Sequence, residues 1–272
     1  MSVATYLDRI GAWHRDVASS DRRDLEDLAA RARAAPRPRD FAGALKANHA
    51  GSCGEATIAL VAEIKRRSPS KGELAPDLDP AEVARAYESG GASCLSVLTD
   101  APHFGGSAED LKSARAAVGL PVLRKDFTVS PADVYDARIM GADAVLLIVA
   151  LLDDAELAEL REIAVDLAMA VLVEVHDEHE LERALGTGAS LVGVNQRDLH
   201  SFELDRARAE RVARHVPAGV LKIAESGVES VADVAALARA GFDGVLVGEA
   251  LVRRRDRRSA VAELLGRAVP CG

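Results

Sequence analysis

Five charged side chains stand in short segments whose other residues are mostly aliphatic: Glu63, Lys65, Lys125, Glu174 and Glu225. Because successive side chains of a strand point to opposite faces, Glu63 and Lys65 point the same way. Opposite charges that share a buried pocket keep each other ionised and shift each other's pKa values. The set predicts general acid–base chemistry, in which positioned side chains donate and accept protons. For any single pair, the alternative is a structural ion pair in the core.

The segment "RRSPSKG" directly follows the first charged pair. It places two arginines and then a Ser-Pro-Ser-Lys-Gly turn at the end of the strand. Hydroxyl groups and backbone N–H groups in such a turn suit an anion. We therefore expect an anionic part of a ligand near this strand end.

Short aliphatic runs alternate with amphipathic stretches from about residue 58 onward. Eight such runs predict strands, and stretches such as "DPAEVARAYESG" between them predict helices. Apolar runs separated by helices are typical of parallel strands buried on both faces. We predict an α/β fold, a (β/α)8 TIM barrel over residues 58–272. Residues 1–57 should form a helical extension with one helix before a proline-containing stretch and a short helix after it.

The alternative fold is a doubly wound open sheet, but no GxGxxG motif follows the first strand. An internal repeat also marks every second strand of the barrel. It occurs as "GGASCLSVLT", "GADAVLLIV", "GTGASLVGVN" and "GFDGVLVGE". We expect its glycine to end the preceding helix in the left-handed conformation. The charged residues fall on the odd-numbered strands instead, near the C-terminal ends, where barrels of this class have their active sites.

The composition limits the classes of partner. The chain has 272 residues, 49% of them hydrophobic, a formal net charge of -9 and a pI near 5.3. This acidic balance argues against nucleic acid and membranes as partners, and the arginines between positions 253 and 258 are interpreted as a solvated helix face. Three widely spaced cysteines predict no disulfide or zinc site: Cys53, Cys94 and Cys271. With a charged N-terminus and no long apolar run, the chain is expected to be cytoplasmic.

Motifs along the chain resemble those of indole-3-glycerol phosphate synthases. In order, they are "VAEIKRRSPSKG", "GGASCLSVLTDAPHFGGSAEDL", "PVLRKDF", "LVEVHDEHELERAL", "VGVNQRDLHSFELD", "IAESGV" and "VLVGEALVR". The resemblance implies a carboxy-lyase of tryptophan biosynthesis that needs no cofactor or metal. Its substrate would be a small phosphorylated molecule, 1-(2-carboxyphenylamino)-1-deoxyribulose 5-phosphate. Its products would be indole-3-glycerol phosphate, carbon dioxide and water, and contacts with other enzymes of the pathway are a further expectation.

The resemblance also implies the catalytic residues. We expect Lys125 to act as general acid, Glu174 as base and Lys65 as the anchor of the substrate carboxylate. Three further polar residues complete the catalytic set: Glu63, Asn195 and Glu225. For Asn195, the alternative is the cap of a turn.

The substrate-binding set gathers small, polar and aromatic residues at the strand ends: Ser68, Phe127, Arg197, Ser226, Gly227, Gly248 and Glu249. Barrels of this class hold phosphate after the seventh and eighth strands, where the last four of these residues stand. The alternative for the glycines is a tight turn. Arg197 either pairs with the phosphate or braces a neighbouring carboxylate. Phe127, with Phe104 and Leu146, either flanks the aromatic ring or belongs to the core.

Four positions depart from the commonest family pattern and are expected to alter fine substrate contacts: His103, Thr128, Gln196 and Glu249. The histidines have no metal-binding spacing, and we expect His103, His176 and His200 on the surface or in loops. Two other functions remain open. An isomerase acting on phosphoribosyl anthranilate would need a Cys and Asp pair at strand ends, where this sequence has Glu63 and Lys65. A non-catalytic barrel would bind a similar ligand without turnover.

Overall fold

Eight parallel strands close into a barrel in the computed structural model, which describes residues 5–47, 58–69, 71–198 and 203–267. The barrel strands are β1 (Ala59–Ile64), β2 (Cys94–Leu98), β3 (Val122–Lys125), β4 (Ala144–Ile148), β5 (Ala170–Val175), β6 (Leu191–Asn195), β7 (Leu221–Glu225) and β8 (Gly244–Val247). β1 pairs with both β2 and β8, which closes the sheet. The closure confirms the predicted TIM barrel, because an open doubly wound sheet would leave two edge strands.

Helices precede the barrel and cover its outside. In the described ranges they are α1 (Tyr6–Ser20), α2 (Leu25–Ala34), α3 (Phe41–Ala47), α4 (Pro80–Gly90), α5 (Ala101–Phe104), α6 (Ala108–Ala117), α7 (Pro131–Ile139), α8 (Asp154–Asp166), α9 (Glu178–Gly186), α10 (Arg206–Ala213), α11 (Val231–Arg239), α12 (Glu249–Val252) and α13 (Arg257–Leu264). A short antiparallel hairpin, Arg67–Ser68 with Gly72–Glu73, lies in the loop after β1. None of these helices has the length and apolar character needed to cross a membrane.

The extension before the barrel has one helix more than the sequence predicted. Two helices, α1 and α2, precede the proline-containing stretch, and residues 21–24 connect them without helical structure. Asp24 defines the start of the second helix, since its side chain accepts a hydrogen bond from the backbone N–H of Glu26 and so caps α2. Such a cap stabilises a helix by about 1 kcal/mol.

The repeated glycines have the conformation that the sequence predicts. Gly91, Gly141, Gly188 and Gly241 have φ values of 98°, 98°, 81° and 80°, and they lead into β2, β4, β6 and β8. A side chain in this left-handed region costs roughly 1–2 kcal/mol. These glycines therefore allow each helix to turn sharply back into an even-numbered strand.

The interior of the barrel is a separate apolar cluster from the layer between strands and helices. It contains residues from all eight strands, among them Val61, Leu123 and Leu172. Phe41 and Leu45 of α3 pack into the same cluster and close the N-terminal end of the barrel. With that end filled, the space for a ligand lies at the opposite, C-terminal end, which charged side chains line.

Candidate active site

Charged residues of the odd-numbered strands line the upper interior of the barrel. Each follows an interior apolar residue by two positions: Glu63 follows Val61, Lys125 follows Leu123, Glu174 follows Leu172, and Glu225 follows Ile223. Side chains of a strand repeat with a period of two, so the register that buries the apolar residues also turns the charged ones toward the barrel axis. The four strands together form one charged layer.

Lys125 lies between two buried carboxylates. Its Nζ is 2.7 Å from Oε2 of Glu174 and 3.0 Å from Oε2 of Glu225. Burial alone would lower the pKa of Lys125, but the charges of Glu174, Glu225 and Glu63 outweigh burial and raise that pKa. The ammonium group therefore stays charged at neutral pH.

The two carboxylates that contact Lys125 differ in their protonation. Burial opposes the ionisation of Glu174, but the charges of Lys125 and His176 and a hydrogen bond from Asn195 lower its pKa below the ordinary range. For Glu225, burial outweighs the charge of Lys125 and the charge of Glu174 adds to it, which raises its pKa to about 7. Glu174 is therefore the ionised member of the pair, and Glu225 takes up a proton more readily.

Asn195 connects this charged group to the end of β7. Its Oδ1 accepts hydrogen bonds from the backbone N–H of Arg197 at 3.0 Å and from Oγ of Ser226 at 2.8 Å. The backbone donor fixes the orientation of the amide, and Nδ2 then donates to Oε1 of Glu174 at 3.1 Å. Asn195 therefore caps the turn after β6, as the alternative reading expects, and also contacts Glu174.

Glu63 and Lys65 form an ion pair of their own, with Nζ of Lys65 2.7 Å from Oε1 of Glu63. Two glycines leave room for the carboxylates. A β-carbon at Gly248 would lie 2.3 Å from Oε1 of Glu63, and a β-carbon at Gly193 would lie 2.1 Å from Oε1 of Glu225. A glycine is therefore needed at position 248 because the Glu63 carboxylate lies so close to its Cα. The alternative, that Gly248 only makes a tight turn, does not account for this contact.

One cavity of about 390 Å³ opens at this end of the barrel, and all thirteen predicted site residues line it. Phe104 and Leu146 line it as well and, with Phe127, form an apolar wall of the cavity. Residues of α1 complete the wall on the outer side: Tyr6, Leu7 and Ile10. These three residues were not predicted as part of the site, because helical periodicity shows which face of α1 is buried but not what it packs against.

Backbone donors gather where the sequence predicts the phosphate. Ser226 has φ 65° and Gly227 has φ 73°, and Gly248 precedes α12 without any side-chain cap. A left-handed serine is uncommon and costs roughly 1–3 kcal/mol, which is typical of functional turns. The Glu249 carboxylate is 3.5 Å from Nη1 of Arg253, a residue that also lines the cavity. Arg253 was predicted only as part of a solvated helix face, and it is half exposed.

His176 lies in the loop after β5, as expected, but it is not on the surface, and His103 lies in the short helix α5. His176 is buried, with Nδ1 3.0 Å from Oε2 of Glu180 and Nε2 3.6 Å from Oε1 of Glu174. His103 is half-buried and its Nδ1 is 2.9 Å from Oδ2 of Asp100. In both cases the imidazole turns toward carboxylates that it contacts: Glu174 and Glu180 for His176, and Asp100 for His103. His200 lies outside the described residues.

A group of three residues beside the cavity has the spacing of a metal site. Nε2 of His14 and Nδ1 of His103 each lie 2.9 Å from the same oxygen of Asp100, and no other group of this kind occurs among the described residues. Hydrogen bonds between the imidazoles and the carboxylate already account for this arrangement. None of the three residues lines the cavity.

The departures from the family pattern lie mostly away from the cavity. Thr128 is buried outside its lining, and Gln196 donates a hydrogen bond to the backbone oxygen of Ser226. His103 bonds Asp100, so only Glu249 among the four reaches the cavity wall. Cys94 is buried at the start of β2, far from the strand ends that an isomerase with a Cys and Asp pair would use.

Comparison with known proteins places the chain in a family. The family model described as indole-3-glycerol phosphate synthase matches residues 7–264. The chain belongs to the indole-3-glycerol phosphate synthase family. Relatives of that name include the protein of Mycobacteroides abscessus, 51% identical over 97% of this chain and 95% of the relative. The protein of Micrococcus luteus is 54% identical over 85% of this chain and 86% of the relative.

Solved structures of other proteins resemble this chain in fold. Thiamine phosphate pyrophosphorylase from Pyrococcus furiosus covers 76% of this chain and 93% of its own, with 20% identity and a TM-score of 0.58. N-acetylmannosamine-6-phosphate 2-epimerase from Clostridium perfringens covers 72% and 88%, with 14% identity and a TM-score of 0.57. At these identities the likeness supports the barrel alone.

Proposed function

We propose that this chain catalyses the indole-3-glycerol phosphate synthase reaction in the cavity at the C-terminal end of its barrel. One observation carries the proposal: the Lys125 ammonium is buried between Glu174 and Glu225, in the cavity that Lys65 also lines. Ring closure needs a charged proton donor in a site shielded from water, since the ketone oxygen becomes anionic as a carbon of the aromatic ring attacks it.

Lys125 acts first. As the carboxylate-bearing ring carbon bonds to the ketone carbon, the proton leaves Nζ of Lys125 for the former ketone oxygen, which becomes a hydroxyl group. Lys65 anchors the substrate carboxylate beside the ring, and Glu63 holds Lys65 by the ion pair at 2.7 Å. The bond to the carboxylate then breaks, carbon dioxide leaves, and its electrons restore the aromatic ring.

Glu174 acts in the dehydration. Its lowered pKa keeps it a carboxylate, so it accepts a proton from the methylene carbon while the hydroxyl group takes a proton from the Lys65 ammonium and leaves as water. Asn195 holds Glu174 through the hydrogen bond from Nδ2 and, because it also lines the cavity, can contact a sugar hydroxyl group. Glu225, with its pKa raised to about 7, supplies or accepts a proton close to Lys125.

The phosphate is held at the ends of β7 and β8. The backbone N–H groups of Ser226, Gly227 and Glu249 are the donors, because small residues and an uncapped helix start admit an anion. Ser68 and Arg197 line the same cavity and add a hydroxyl group and a positive charge. Phe127 lies along the apolar wall that receives the aromatic ring.

Fluorescence detection of indole-3-glycerol phosphate tests the proposal. The purified chain is mixed with the carboxyphenylamino-deoxyribulose phosphate without metal or cofactor, with and without EDTA, and product should form in both. In Lys125→Met, turnover should fall by about 10²–10⁴-fold, the usual worth of one acid–base group, while circular dichroism stays unchanged. Lys112→Met, at an exposed helix position, is the control. Bound substrate without product would favour the non-catalytic barrel.

Two expectations about the cell belong to the same proposal. We propose a cytoplasmic location, which the unpaired, buried thiol of Cys94 supports. Contact with other enzymes of the tryptophan pathway is likewise proposed. Sedimentation of the chain with and without those enzymes would measure such a contact directly.

A further inference from the structure

His176 is a buried histidine that the proposed reaction does not use. It follows β5 directly and stands two residues after Glu174. Oε2 of Glu180, in α9, accepts hydrogen bonds from the backbone N–H of His176 at 2.7 Å and from its Nδ1 at 3.0 Å. Since an ionised carboxylate only accepts hydrogen bonds, Nδ1 carries a hydrogen. Glu180 thereby fixes the ring orientation and leaves Nε2 as the nitrogen that can gain or lose a proton.

Nε2 of His176 points at the proposed base. It lies 3.6 Å from Oε1 of Glu174, is fully shielded from solvent, and has no hydrogen-bond partner among the described residues. A bare Nε2 would direct its lone pair at a carboxylate, whereas a protonated Nε2 gives an imidazolium ion beside an anion. Buried polar atoms without a partner are rare in proteins and call for a functional explanation.

The charges around His176 favour the protonated ring. Glu174 of β5 and Glu180 of α9 face it, and Arg208 of α10, which bonds Asp198, opposes them. Burial lowers the pKa of His176, but the hydrogen bond to Glu180 and the charge of Glu174 outweigh burial and Arg208, so the pKa is raised. The position of the ring between two carboxylates is the geometric reason.

We propose that His176 is a positioning residue that keeps Glu174 ionised during the reaction. The inference rests on the proposed role of Glu174 as base. When Lys125 gives its proton to the ketone oxygen, it becomes a neutral amine, and Glu174 loses the cation 2.7 Å from its Oε2. The imidazolium of His176 remains beside Oε1, so the carboxylate does not capture a proton before the dehydration step. His176 itself touches no reacting atom.

The other carboxylate that contacts Lys125 supports this assignment. Glu225 binds the same ammonium group, but among the described residues no histidine forms an ion pair with it and its Oε1 has no hydrogen-bond partner. Its pKa is raised while that of Glu174 is lowered. The two groups differ in their other neighbours. Within 4 Å, Glu174 has both Lys125 and His176, whereas Glu225 forms an ion pair with Lys125 alone among the described residues.

The test compares pH profiles of kcat for the unaltered chain, His176→Asn and Glu180→Gln. Without the imidazolium, the pKa of Glu174 rises, so the acidic limb should move to higher pH by about one unit, and at a pH on that limb kcat should fall about tenfold. KM should stay within about twofold. Glu180→Gln should shift the limb in the same direction by less. His179→Asn, at an exposed position three residues away, should match the unaltered chain.

A second measurement needs no turnover. Nitrogen NMR of the imidazoles in the full chain should show a pKa of His176 above the ordinary histidine range. The Glu174→Gln substitution should lower that pKa. The inference is overturned if the acidic limb of the kcat profile is the same in His176→Asn as in the unaltered chain. It is also overturned if the pKa of His176 is the same in Glu174→Gln as in the unaltered chain. Absence of product from the unaltered chain would contradict the proposed function, and the role of His176 with it.

Discussion

At the scale of single residues, the site separates two carboxylates that have the same chemistry. Glu174 and Glu225 both contact Nζ of Lys125, at 2.7 Å and 3.0 Å. Asn195 and His176 stand on the side of Glu174, while Glu225 faces a glycine and has an oxygen without a partner among the described residues. Environments that push two pKa values apart are how proteins assign an acid and a base from like groups.

Replacing the proposed base should abolish most of the turnover. Glu174→Gln keeps the size of the side chain but removes the charge that accepts the proton, so kcat should fall by about 10²–10⁴-fold with the fold retained. The fluorescence assay measures this loss, and Glu182→Gln, an exposed position in α9, is the control. A loss below about tenfold would argue against Glu174 as the base.

Gly193 offers a test of the site that leaves every charged residue in the sequence. A β-carbon there would lie 2.1 Å from Oε1 of Glu225, so Gly193→Ala should displace that carboxylate from Lys125. We expect kcat to fall about tenfold or more, with an unchanged circular dichroism spectrum. Gly186→Ala is the matched control, because a β-carbon at Gly186 would meet nothing within 4 Å. Equal activity in the two variants would contradict this reading of Gly193.

At the scale of elements, α1 is tied to the barrel beside the cavity. His14 of α1 bonds Asp100, which also caps α5 by accepting from the backbone N–H groups of His103 and Phe104. The His14 ring centroid is 5.2 Å from that of Phe127, on the cavity wall. The Asp100 carboxylate thus joins the N-terminal extension to the loop after β2, and His14 connects both to Phe127 on the cavity wall.

The attachment should weaken in acid. Burial raises the pKa of Asp100, but hydrogen bonds from His14 and His103 outweigh it and lower that pKa to about 2. A lowered pKa stabilises the fold above the ordinary range of an aspartate, and this contribution is lost as the pH falls from about 4 to 2. Between pH 5 and 3, urea unfolding of the unaltered chain should lose about 1 kcal/mol more than Asp100→Asn. Equal losses would show that Asp100 does not link stability to pH.

Element types were predictable where the signal is local, and contacts between elements were not. The glycines before the even strands and the alternation of Glu63 and Lys65 with Ala62 and Ile64 follow from neighbouring residues, and both predictions are confirmed. The pairing of His14 with Asp100 joins positions 86 residues apart, and no local pattern encodes it. His176 lies in a loop as predicted, but its burial between Glu174 and Glu180 was not predicted, although both carboxylates are within four residues of it.

At the scale of the whole molecule, the two ends of the barrel have different tasks. Phe41 and Leu45 fill the N-terminal end, and the charged layer occupies the C-terminal end. The sequence predicted the layer because all of its members stand at strand ends of one topology. The sequence did not predict this plug of Phe41 and Leu45. The apolar face of α3 has no feature that distinguishes the N-terminal end of the barrel from any other packing partner.

Removing the plug should reduce stability without stopping the reaction. Phe41 is 1% exposed, and Phe41→Ala would open a cavity that costs about 3–5 kcal/mol of unfolding free energy. Urea unfolding measures the loss, and turnover at low temperature should remain near that of the unaltered chain. Leu25→Ala, at an exposed position in α2, should change stability by less than about 0.5 kcal/mol. A large loss of turnover in folded Phe41→Ala would show that the two ends are coupled.

The placement of the charged layer has a consequence for how this protein could be altered by directed evolution. Glu63, Lys125, Glu174 and Glu225 belong to strands, whereas the expected anchor of the ligand's outer end belongs to the loops after β1, β7 and β8. Loops can be exchanged without disturbing strand register. A library that varies only those loops would offer the same proton-transfer apparatus to new molecules, and selection could then change the compound that reacts while inheriting the reaction.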